Sequence, residues 1–464
     1  MLSFKRIIET MKILIFIETD VVVRHFIFSK AFHYLQQFHD VIYVFPDGDK
    51  RLGNISLDEL DIQGSKRLKL MPYKERLKLW RLRFFVEKLR NKKGVPKEVL
   101  EQWRKDFTLG NPKYAKYIYL LFGLPLIFPI FTFIVNFLIK KLPNLELIEI
   151  LKNEKPDLLI HPSVLEGSYI DDVIYYGNKI KKPVVVIMNS WDNPLTKRSV
   201  VNKDYFLLVW GQQTKQHAIN YMGLDKNKVI EFGAAQFDLY NNYEDQFKTN
   251  DSENEAKKIK TLLYAGSSKF ADEFAHLLKI DEAIKVGNLP KINIIYRPHP
   301  WGSCGYKGYR IKKHTFENII IDPNMKEYVS RDFTKDNSKF LPNLKNTKDL
   351  LLYVDFVLSP LSTILIEAMM LGKVPICLMP ENEIQAEHFH MVKKSPHFDE
   401  ILENKEVIVI NGSEYLLDGI KKAYKNSLKL NKSNILKKDS EFFISKFSKP
   451  FNKRLLDFVE KLNC

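Results

Sequence analysis

Short unbroken apolar runs alternate with amphipathic stretches along most of the chain. In the N-terminal half, the runs KILIFIE, VIYVF, DLLIH, PVVVIM and YFLLVWG have the continuous apolar character of strands that are buried on both faces. Between them, residues 24–37, 169–180 and 213–222 show helical periodicity. This alternation predicts a doubly wound α/β domain with a parallel sheet.

The same alternation restarts in the C-terminal half, after residues 241–260, a stretch rich in Asn, Glu, Asp and Lys that we interpret as a linker. The segments KTLLYAGSSKFADEF, INIIYRPHPWG and LLLYVDFVLSPLSTILIEAMMLGKVP each predict a strand followed by a loop or helix. A chain of 464 residues is also too long for one ordinary core. We therefore predict an α/β protein of two Rossmann-like, doubly wound domains facing across a cleft, residues 1–240 and 261–440, with a C-terminal helix in 441–464.

A basic and apolar helical insertion at residues 74–142 is predicted to interrupt the first domain. Residues 74–105 contain twelve Lys or Arg and four Glu, a net +8 of the chain's +16, and residues 117–139 are 23 residues without a charge. That length could span a bilayer, but predicted strands of one sheet lie on both sides of it, and Pro125 and Pro129 interrupt a straight helix. We expect this segment to dip into one leaflet or lie on the membrane surface, beside anionic lipid. A buried helical hairpin or a homo-oligomer interface is the alternative.

Composition narrows the class of protein further. The three cysteines lack disulfide or metal-ligand spacing, and the N-terminus lacks the clean apolar core of a secretion signal. The basic residues adjoin the apolar segment and no nucleic-acid recognition motif is present, so we expect no nucleic acid partner. These features predict a cytoplasmic protein that is peripheral at the inner face of the cell membrane.

Three loops leave the carboxyl ends of predicted strands in the second domain, where open α/β sheets bind ligands. In the first loop, the N–H groups of Gly266, Ser267 and Ser268 are expected to approach a phosphate, although a tight turn with a serine cap fits equally well. In the second loop, Arg297 and His299 suit phosphate oxygens, while two prolines stiffen their backbone. A rigid turn with a surface histidine is the alternative there.

The third loop leads into a helix. Ser362 or Thr363 is expected to cap this helix, and its first N–H groups would attract an anion. Glu367 lies one helical turn later on about the same face, where a carboxylate suits the hydroxyls of a ribose or sugar. The alternative is an exposed or salt-bridged helical glutamate.

These residues carry a family resemblance. YRPHP, followed about sixty residues later by SPLSTILIEAMMLGKVP, resembles the donor half of GT-B glycosyltransferases, particularly the bacterial surface-polysaccharide and CDP-glycerol glycerophosphotransferase-like group. The resemblance extends less sharply through NSWDNPLTK, LVWGQQTKQHA and FGAAQFD. It implies that Arg297, His299, Ser362 and Thr363 face the donor diphosphate and that Glu367 binds donor hydroxyls.

The implied activity is a glycosyltransferase of surface polysaccharide or glycolipid biosynthesis, moving a sugar from a nucleotide-sugar donor to a saccharide or lipid-linked acceptor. The run EAMMLGKVP is more similar to sugar transferases than to polyol-phosphate transferases, which leaves the transferred group open. The alternatives are a CDP-glycerol-type polyol-phosphate transferase, a nucleotide-sugar 2-epimerase and a non-catalytic membrane-bound scaffold.

Acceptor chemistry is expected in the first domain, which normally holds the acceptor in this fold. The loop IETDVVVRHF offers Glu18, Asp20 and His25, and His25 is the preferred base because its ordinary pKa lies near 6.5. Asp192 in SWDNP is the second candidate, or it bonds its own turn. Arg24 and Lys197 are expected to meet an acceptor phosphate or to be surface cations. We predict no metal and no cofactor, because a helix N-terminus with cationic side chains is expected to stabilise the diphosphate leaving group in place of a metal.

Overall fold

The computed structural model describes residues 9–47, 60, 62, 65–93, 95–107, 112–197, 199–241, 259–267, 271–335, 340, 342–381, 389–390, 393–427 and 432–462. The chain divides into two compact units, Met1–Asp238 with Phe447–Cys464, and Leu239–Lys446. Most of the predicted linker lies outside the described residues.

A seven-stranded parallel sheet forms the first unit. Its strands are β1 Lys12–Phe16, β2 Asp40–Pro46, β3 Lys66–Leu70, β4 Leu158–Ser163, β5 Val184–Met188, β6 Phe206–Val209 and β7 Val229–Glu231. They lie in the order β3-β2-β1-β4-β5-β6-β7. All five strands predicted in this half are confirmed, because each apolar run is covered on both faces of the sheet.

Helices connect these strands. They are α1 Asp20–Val22, α2 His33–Phe38, α3 Lys74–Arg90, α4 Lys97–Phe107, α5 Pro112–Phe122, α6 Phe128–Lys141, α7 Leu145–Glu154, α8 Ile170–Lys179 and α9 Gln212–His217, with helical turns at Val23–Ile27, Asn193–Lys197, Ala218–Met222 and Ala235–Phe237. The helix predicted over 24–37 is interrupted, because the chain turns at Lys30, whose φ of 58° is left-handed. Apolar residues on both sides of the break still face the core, since Phe26 and Phe32 are both buried and their rings are stacked.

The insertion is helical, as predicted, and consists of α3 to α6. α5 and α6 are separate helices joined by residues 123–127, which contain Pro125, while Pro129 lies in the first turn of α6. Across the described parts of the chain, no single helix is long and apolar enough to cross a membrane. α6 and α7 reach that length and composition only as a pair bent by 65°.

A six-stranded parallel sheet forms the second unit. Its strands are β8 Thr261–Ala265, β9 Asn293–Arg297, β10 Ile319–Ile321, β11 Phe356–Pro360, β12 Val374–Met379 and β13 Ile408–Asn411, in the order β10-β9-β8-β11-β12-β13. Its helices are α10 Asp238–Asn241 at the unit boundary, α11 Glu273–Lys285, α12 Tyr309–Lys312, α13 Lys326–Ser330, α14 Leu344–Tyr353, α15 Ile364–Met370, α16 Asp399–Glu403, α17 Leu416–Ser427 and α18 Lys432–Ser440, with short turns at Pro323–Met325, Pro396–Phe398 and Ser413–Tyr415.

The chain ends in the first unit with α19 Phe451–Leu462. Phe451, Leu455 and Val459 of this helix are buried in one cluster with Ile13 and Ile15 of β1. The last helix therefore covers part of the first sheet rather than the second.

Candidate functional site

The strand order of the second sheet points to one position for a ligand. The chain runs from β8 outward through β9 and β10, and then returns to the other side of β8 with β11, β12 and β13. β8 and β11 are neighbours in parallel register, with Leu358 beside Tyr264. Doubly wound sheets bind ligands beyond the carboxyl ends of the two strands at this reversal, which we name the switch point.

The loop after β11 carries three hydroxyl side chains. Ser359 is fully buried and its Oγ lies 3.1 Å from Oγ of Ser362. Thr363 precedes α15 and makes no side-chain capping bond, so the expectation that Thr363 caps this helix is wrong. Its φ of −61° and ψ of −22° are already helical, whereas a capping side chain requires an extended backbone. Ser362 and Thr363 are both half-exposed.

Glu367 follows in α15 and is buried. Its Oε2 accepts a hydrogen bond of 2.7 Å from the hydroxyl of Tyr240, which is also buried. The carboxyl group is therefore held in one orientation by a residue that the sequence analysis did not select. Tyr240 lies at the edge of the predicted linker, where no local pattern marks it.

Arg297 and His299 follow β9 and differ in what they bond. The buried guanidinium of Arg297 donates through Nη1 to Asp322 Oδ2 at 2.7 Å and through Nη2 to Thr347 Oγ1 at 2.9 Å. His299 is half-exposed, and its Nδ1 accepts a bond of 3.2 Å from the backbone N–H of Trp301. The neutral ring then carries its proton on Nε2, the atom able to donate to an acidic ligand.

The loop after β8 has its described N–H groups bonded within the fold. Gly266 donates to the carbonyl of Arg297 at 2.8 Å, and Ser267 donates to Oε1 of Glu273 at 3.0 Å. A Cβ on Gly266 would lie 2.6 Å from Oε2 of Glu273, so the glycine makes room for that carboxyl. Ser268 lies outside the described residues. The N–H groups of Gly266 and Ser267, which were expected to approach a phosphate, instead donate to protein groups. A donor-binding role for this loop stays a prediction.

Glu273 belongs to a buried polar layer behind this loop. The hydroxyl of Tyr296 donates to its Oε2 at 2.5 Å. Burial, reinforced by Glu273, raises the pKa of Tyr296 well above its ordinary value, and the same causes raise the pKa of Cys304 to about 12. Cys304 is therefore a protonated thiol at neutral pH, and this layer supports the loop rather than supplying a nucleophile.

In the first unit, the structure brings Arg24 and His25 together with Asn189 at the end of β5. His25 Nδ1 lies 2.7 Å from Asn189 Oδ1, and its Nε2 lies 3.3 Å from Nη1 of Arg24. Burial, followed by the charge of Arg24, lowers the pKa of His25 to about 3. In this arrangement the ring is neutral, and its Nε2 lone pair accepts from the guanidinium. Its predicted role as a base would need Arg24 to move away.

The remaining acceptor candidates bond within their own turns. Asp20 is buried, and its Oδ1 accepts from the N–H of Val21 at 2.8 Å. The carboxylate of Asp192 accepts from Thr196 Oγ1 at 3.0 Å and from the adjacent Asn193 at 3.1 Å, so it orders the turn Asn193–Lys197. The side chain of Lys197, at the end of that turn, lies outside the described part of the structure. Their catalytic and acceptor-binding roles stay predictions.

A buried pair lies at the switch point of the first sheet, between β1 and β4. It joins Glu18, which the first loop offered, to His161, which was not predicted. Nε2 of His161 lies 2.8 Å from Oε1 of Glu18, and the same carboxyl accepts from the N–H groups of Ser168 at 2.7 Å and Tyr169 at 3.0 Å. His161 directly ends the apolar run DLLIH, which is the signal that could have found it. Among the described residues, no group of three His, Cys, Asp or Glu is arranged to hold a metal ion.

No family model and no curated protein matches this chain. Among solved structures, it is similar to UDP-GlcNAc 2-epimerase from Methanocaldococcus jannaschii, with 13% identity and a TM-score of 0.50 over 97% of this chain and 99% of that one. A UDP-N-acetylglucosamine 2-epimerase described as putative, from Listeria monocytogenes, has 12% identity and a TM-score of 0.48, covering 98% and 96%. A glycosyltransferase from Rickettsia africae has 12% identity and a TM-score of 0.46, covering 98% and 99%.

At this level of identity, the likeness shows the fold alone. The chain consists of two Rossmann-like α/β domains of the GT-B type, with a helical insertion in the first, and the predicted fold class is confirmed. The resemblance to the CDP-glycerol group stays a prediction.

Proposed function

We propose that this chain is an enzyme acting on a nucleotide sugar, and that its second unit binds the nucleotide diphosphate at the switch point between β8 and β11. The observation that carries the proposal is the loop after β11. There, the half-exposed hydroxyls of Ser362 and Thr363 precede the buried carboxyl of Glu367, which Tyr240 holds in place. Hydroxyl donors suit phosphate oxygens, and a fixed carboxylate suits the hydroxyls of a sugar or ribose.

Breaking the bond between a sugar and its diphosphate places growing negative charge on the leaving group. Preorganised donors aimed at that charge lower the barrier. Because the guanidinium of Arg297 is already bonded to Asp322 and Thr347, the donors that we assign to the leaving group are Nε2 of His299 and the hydroxyl of Thr363. Arg297 then supports the loop after β9 from behind.

Two fates of the sugar fit this chemistry. Transfer to a saccharide or lipid-linked acceptor, as in surface polysaccharide or glycolipid biosynthesis, is supported by the resemblance of YRPHP and SPLSTILIEAMMLGKVP to the donor half of glycosyltransferases. A nucleotide-sugar 2-epimerase is the second candidate. It is favoured by the shared fold with the Methanocaldococcus jannaschii protein, which is a UDP-GlcNAc 2-epimerase. UDP-GlcNAc is therefore the first substrate to test.

Nucleotide binding tests the proposal directly. Thermal shift is measured with UDP, GDP, CDP and CMP for the wild type and for Thr363→Ala and His299→Ala, with Thr315→Ala and His314→Ala as controls, because both control side chains are exposed in the same unit. We expect one diphosphate to raise the melting temperature of the wild type and of both controls. The shift should be smaller in both site variants.

The other outcomes separate the rival functions. A shift with CMP alone favours a CDP-glycerol-type polyol-phosphate transferase, and no shift with any nucleotide overturns the proposal in favour of a non-catalytic scaffold. If UDP binds, incubation with UDP-GlcNAc is followed by NMR of the sugar protons. An epimerase converts the donor without an acceptor, whereas a transferase leaves most of it intact until an acceptor is added.

A further inference from the structure

Helix α6 of the insertion is apolar on opposite sides. Its inner side chains Phe131, Val135 and Ile139 are buried in one cluster with aromatic residues of α3 and α4, among them Phe84 and Trp103. A surface helix that buries one apolar face normally turns a polar face to water. In α6, the second face is apolar as well, and it is exposed.

Exposed apolar residues continue from α6 through residues 123–127 into α5, and we call this helix–turn–helix segment the hairpin. On α6, these residues recur at the spacing of one helix face. The exposed apolar residues, which we name the hairpin face, are Tyr117, Ile118, Leu121, Leu124, Leu126, Ile130, Phe133, Ile134, Phe137 and Leu138. Leu126 is 87% exposed and Phe133 is 72% exposed. Soluble proteins seldom leave an apolar surface of this extent open to water.

Cations accompany the hairpin face, and acidic residues do not. Residues 107–145 contain no Asp or Glu. The guanidinium of Arg90 lies over the ring of Phe128 at 4.7 Å, and the ammonium of Lys141 lies over the ring of Phe137 at 5.5 Å. Both cations are exposed, so positive charge is held close to both ends of α6.

We propose that the hairpin face docks into an anionic lipid bilayer. Its apolar side chains enter one leaflet, and Arg90, Lys140 and Lys141 meet the headgroups. Cations at the border of an apolar face are typical of helices that lie in the membrane interface, and anionic lipid attracts them further. This docking is independent of the proposed nucleotide-sugar chemistry.

A second copy of the chain fits the hairpin face less well. A twofold contact would set this face against itself, so Arg90 and Lys141 would lie close to their own copies. Residues 107–145 offer no carboxylate to neutralise them. Like charges brought together at an interface oppose association. Anionic headgroups supply the negative charge that the hairpin lacks.

Flotation of the full-length protein with lipid vesicles tests the docking. Vesicles of phosphatidylcholine, with and without phosphatidylglycerol, are compared for the wild type and for the triple variant Leu126→Ser, Ile130→Ser, Phe133→Ser. We expect the triple variant to lower the partition coefficient onto the mixed vesicles by at least about tenfold, because three of the most exposed apolar side chains no longer enter the lipid. An unchanged melting temperature checks that the variant is folded.

A matched triple variant controls for the loss of apolar surface as such. Val286→Ser, Ile320→Ser and Tyr353→Ser remove three comparably exposed apolar side chains from the second unit and should float like the wild type. Lys140→Gln with Lys141→Gln should remove most of the gain that phosphatidylglycerol gives.

Two results would overturn the proposal. In the first, the hairpin triple variant floats as well as the wild type. In the second, light scattering shows a wild-type dimer that the hairpin variant abolishes, and neither protein floats, which would assign the face to a second copy of the chain.

Discussion

Arg76 fastens the insertion to the first unit. Its side chain is 1% exposed and donates through Nε and Nη2 to both carboxylate oxygens of Asp172, at 2.6 to 3.0 Å. Nη1 donates to the carbonyls of Ile139 at 2.5 Å and Leu142 at 2.6 Å, where α6 ends. The indole of Trp80 adds a bond of 2.8 Å to Asp172. One guanidinium thus joins α3, the end of α6 and α8.

The substitution Arg76→Met keeps an apolar side chain of similar length and removes every donor. It leaves the carboxylate of Asp172 buried and two backbone carbonyls without this partner. Removing one member of a buried ion pair costs about 3–5 kcal/mol of unfolding free energy. For a unit of this size, each kcal/mol lowers the melting temperature by about 2–4 °C, so the expected fall is roughly 6–20 °C. The double variant Arg76→Met, Asp172→Leu should recover much of it, because no unpaired charge stays buried.

Urea unfolding followed by tryptophan fluorescence measures these differences. Arg104→Met is the matched control, because it breaks a partly exposed pair with Glu101 in the same insertion and should cost no more than about 1 kcal/mol. If Arg76→Met cost no more than Arg104→Met, or if the double variant were less stable than the single one, the reasoning from burial would be refuted.

Two further predictions concern buried titratable groups in the first unit. Burial, with a smaller contribution from the charge of Asp172, raises the pKa of Asp171 to about 7. The contribution of Asp171 to the free energy of unfolding is therefore lost as pH rises from 3.8 to about 7. The unfolding free energy of the wild type relative to Asp171→Asn should fall over that range in denaturant titrations, and a flat difference would contradict this. Arg24→Gln should raise the pKa of His25 above about 3, and burial should keep it below 6.5. NMR titration of the ring protons measures it, and an unchanged value would rule out the influence of Arg24.

Buried strands were the most predictable part of the fold. Runs such as KILIF and VVVIM are apolar throughout because parallel strands inside a sheet are covered on both faces. The edge strand KRLKL was not predicted, since three of its five residues are charged. Charge on an edge strand protects its open side from pairing with other chains, so the pattern of a core strand is missing there.

Site residues were harder to assign because their partners lie far away in sequence. An arginine that ends a strand suits a phosphate, and on that ground Arg297 was expected to face the donor. The same position suits a carboxylate beyond the neighbouring strand, and Asp322, directly after β10, occupies it. Likewise, Tyr240 reaches Glu367 across 127 residues. Local patterns indicate where a cation or a carboxyl stands, but they do not indicate which group it bonds.

Glycine in a strand-to-helix loop is a further ambiguous signal. In the first sheet, a Cβ on Gly167 would lie 2.6 Å from Oε1 of Glu18, and this carboxyl accepts the N–H groups of the two residues that follow Gly167. In the second sheet, Gly266 stands equally close to Glu273, which accepts the N–H of the next residue. In both units, the space beside the glycine is therefore filled by a carboxyl group of the protein, Glu18 in the first and Glu273 in the second.

This arrangement changes where a diphosphate would find its donors in the second unit. A phosphate bound as in a glycine-rich cradle needs open backbone N–H groups, and it would be repelled by a neighbouring carboxylate. The described N–H groups after β8 are bonded within the fold, so the donors are expected from the loops after β9 and β11. That requirement favours His299 and Thr363 over Gly266 and Ser267 as donors. Replacing the side chains of His299 and Thr363 with alanine is therefore a more direct test of nucleotide binding than substitutions in the loop after β8.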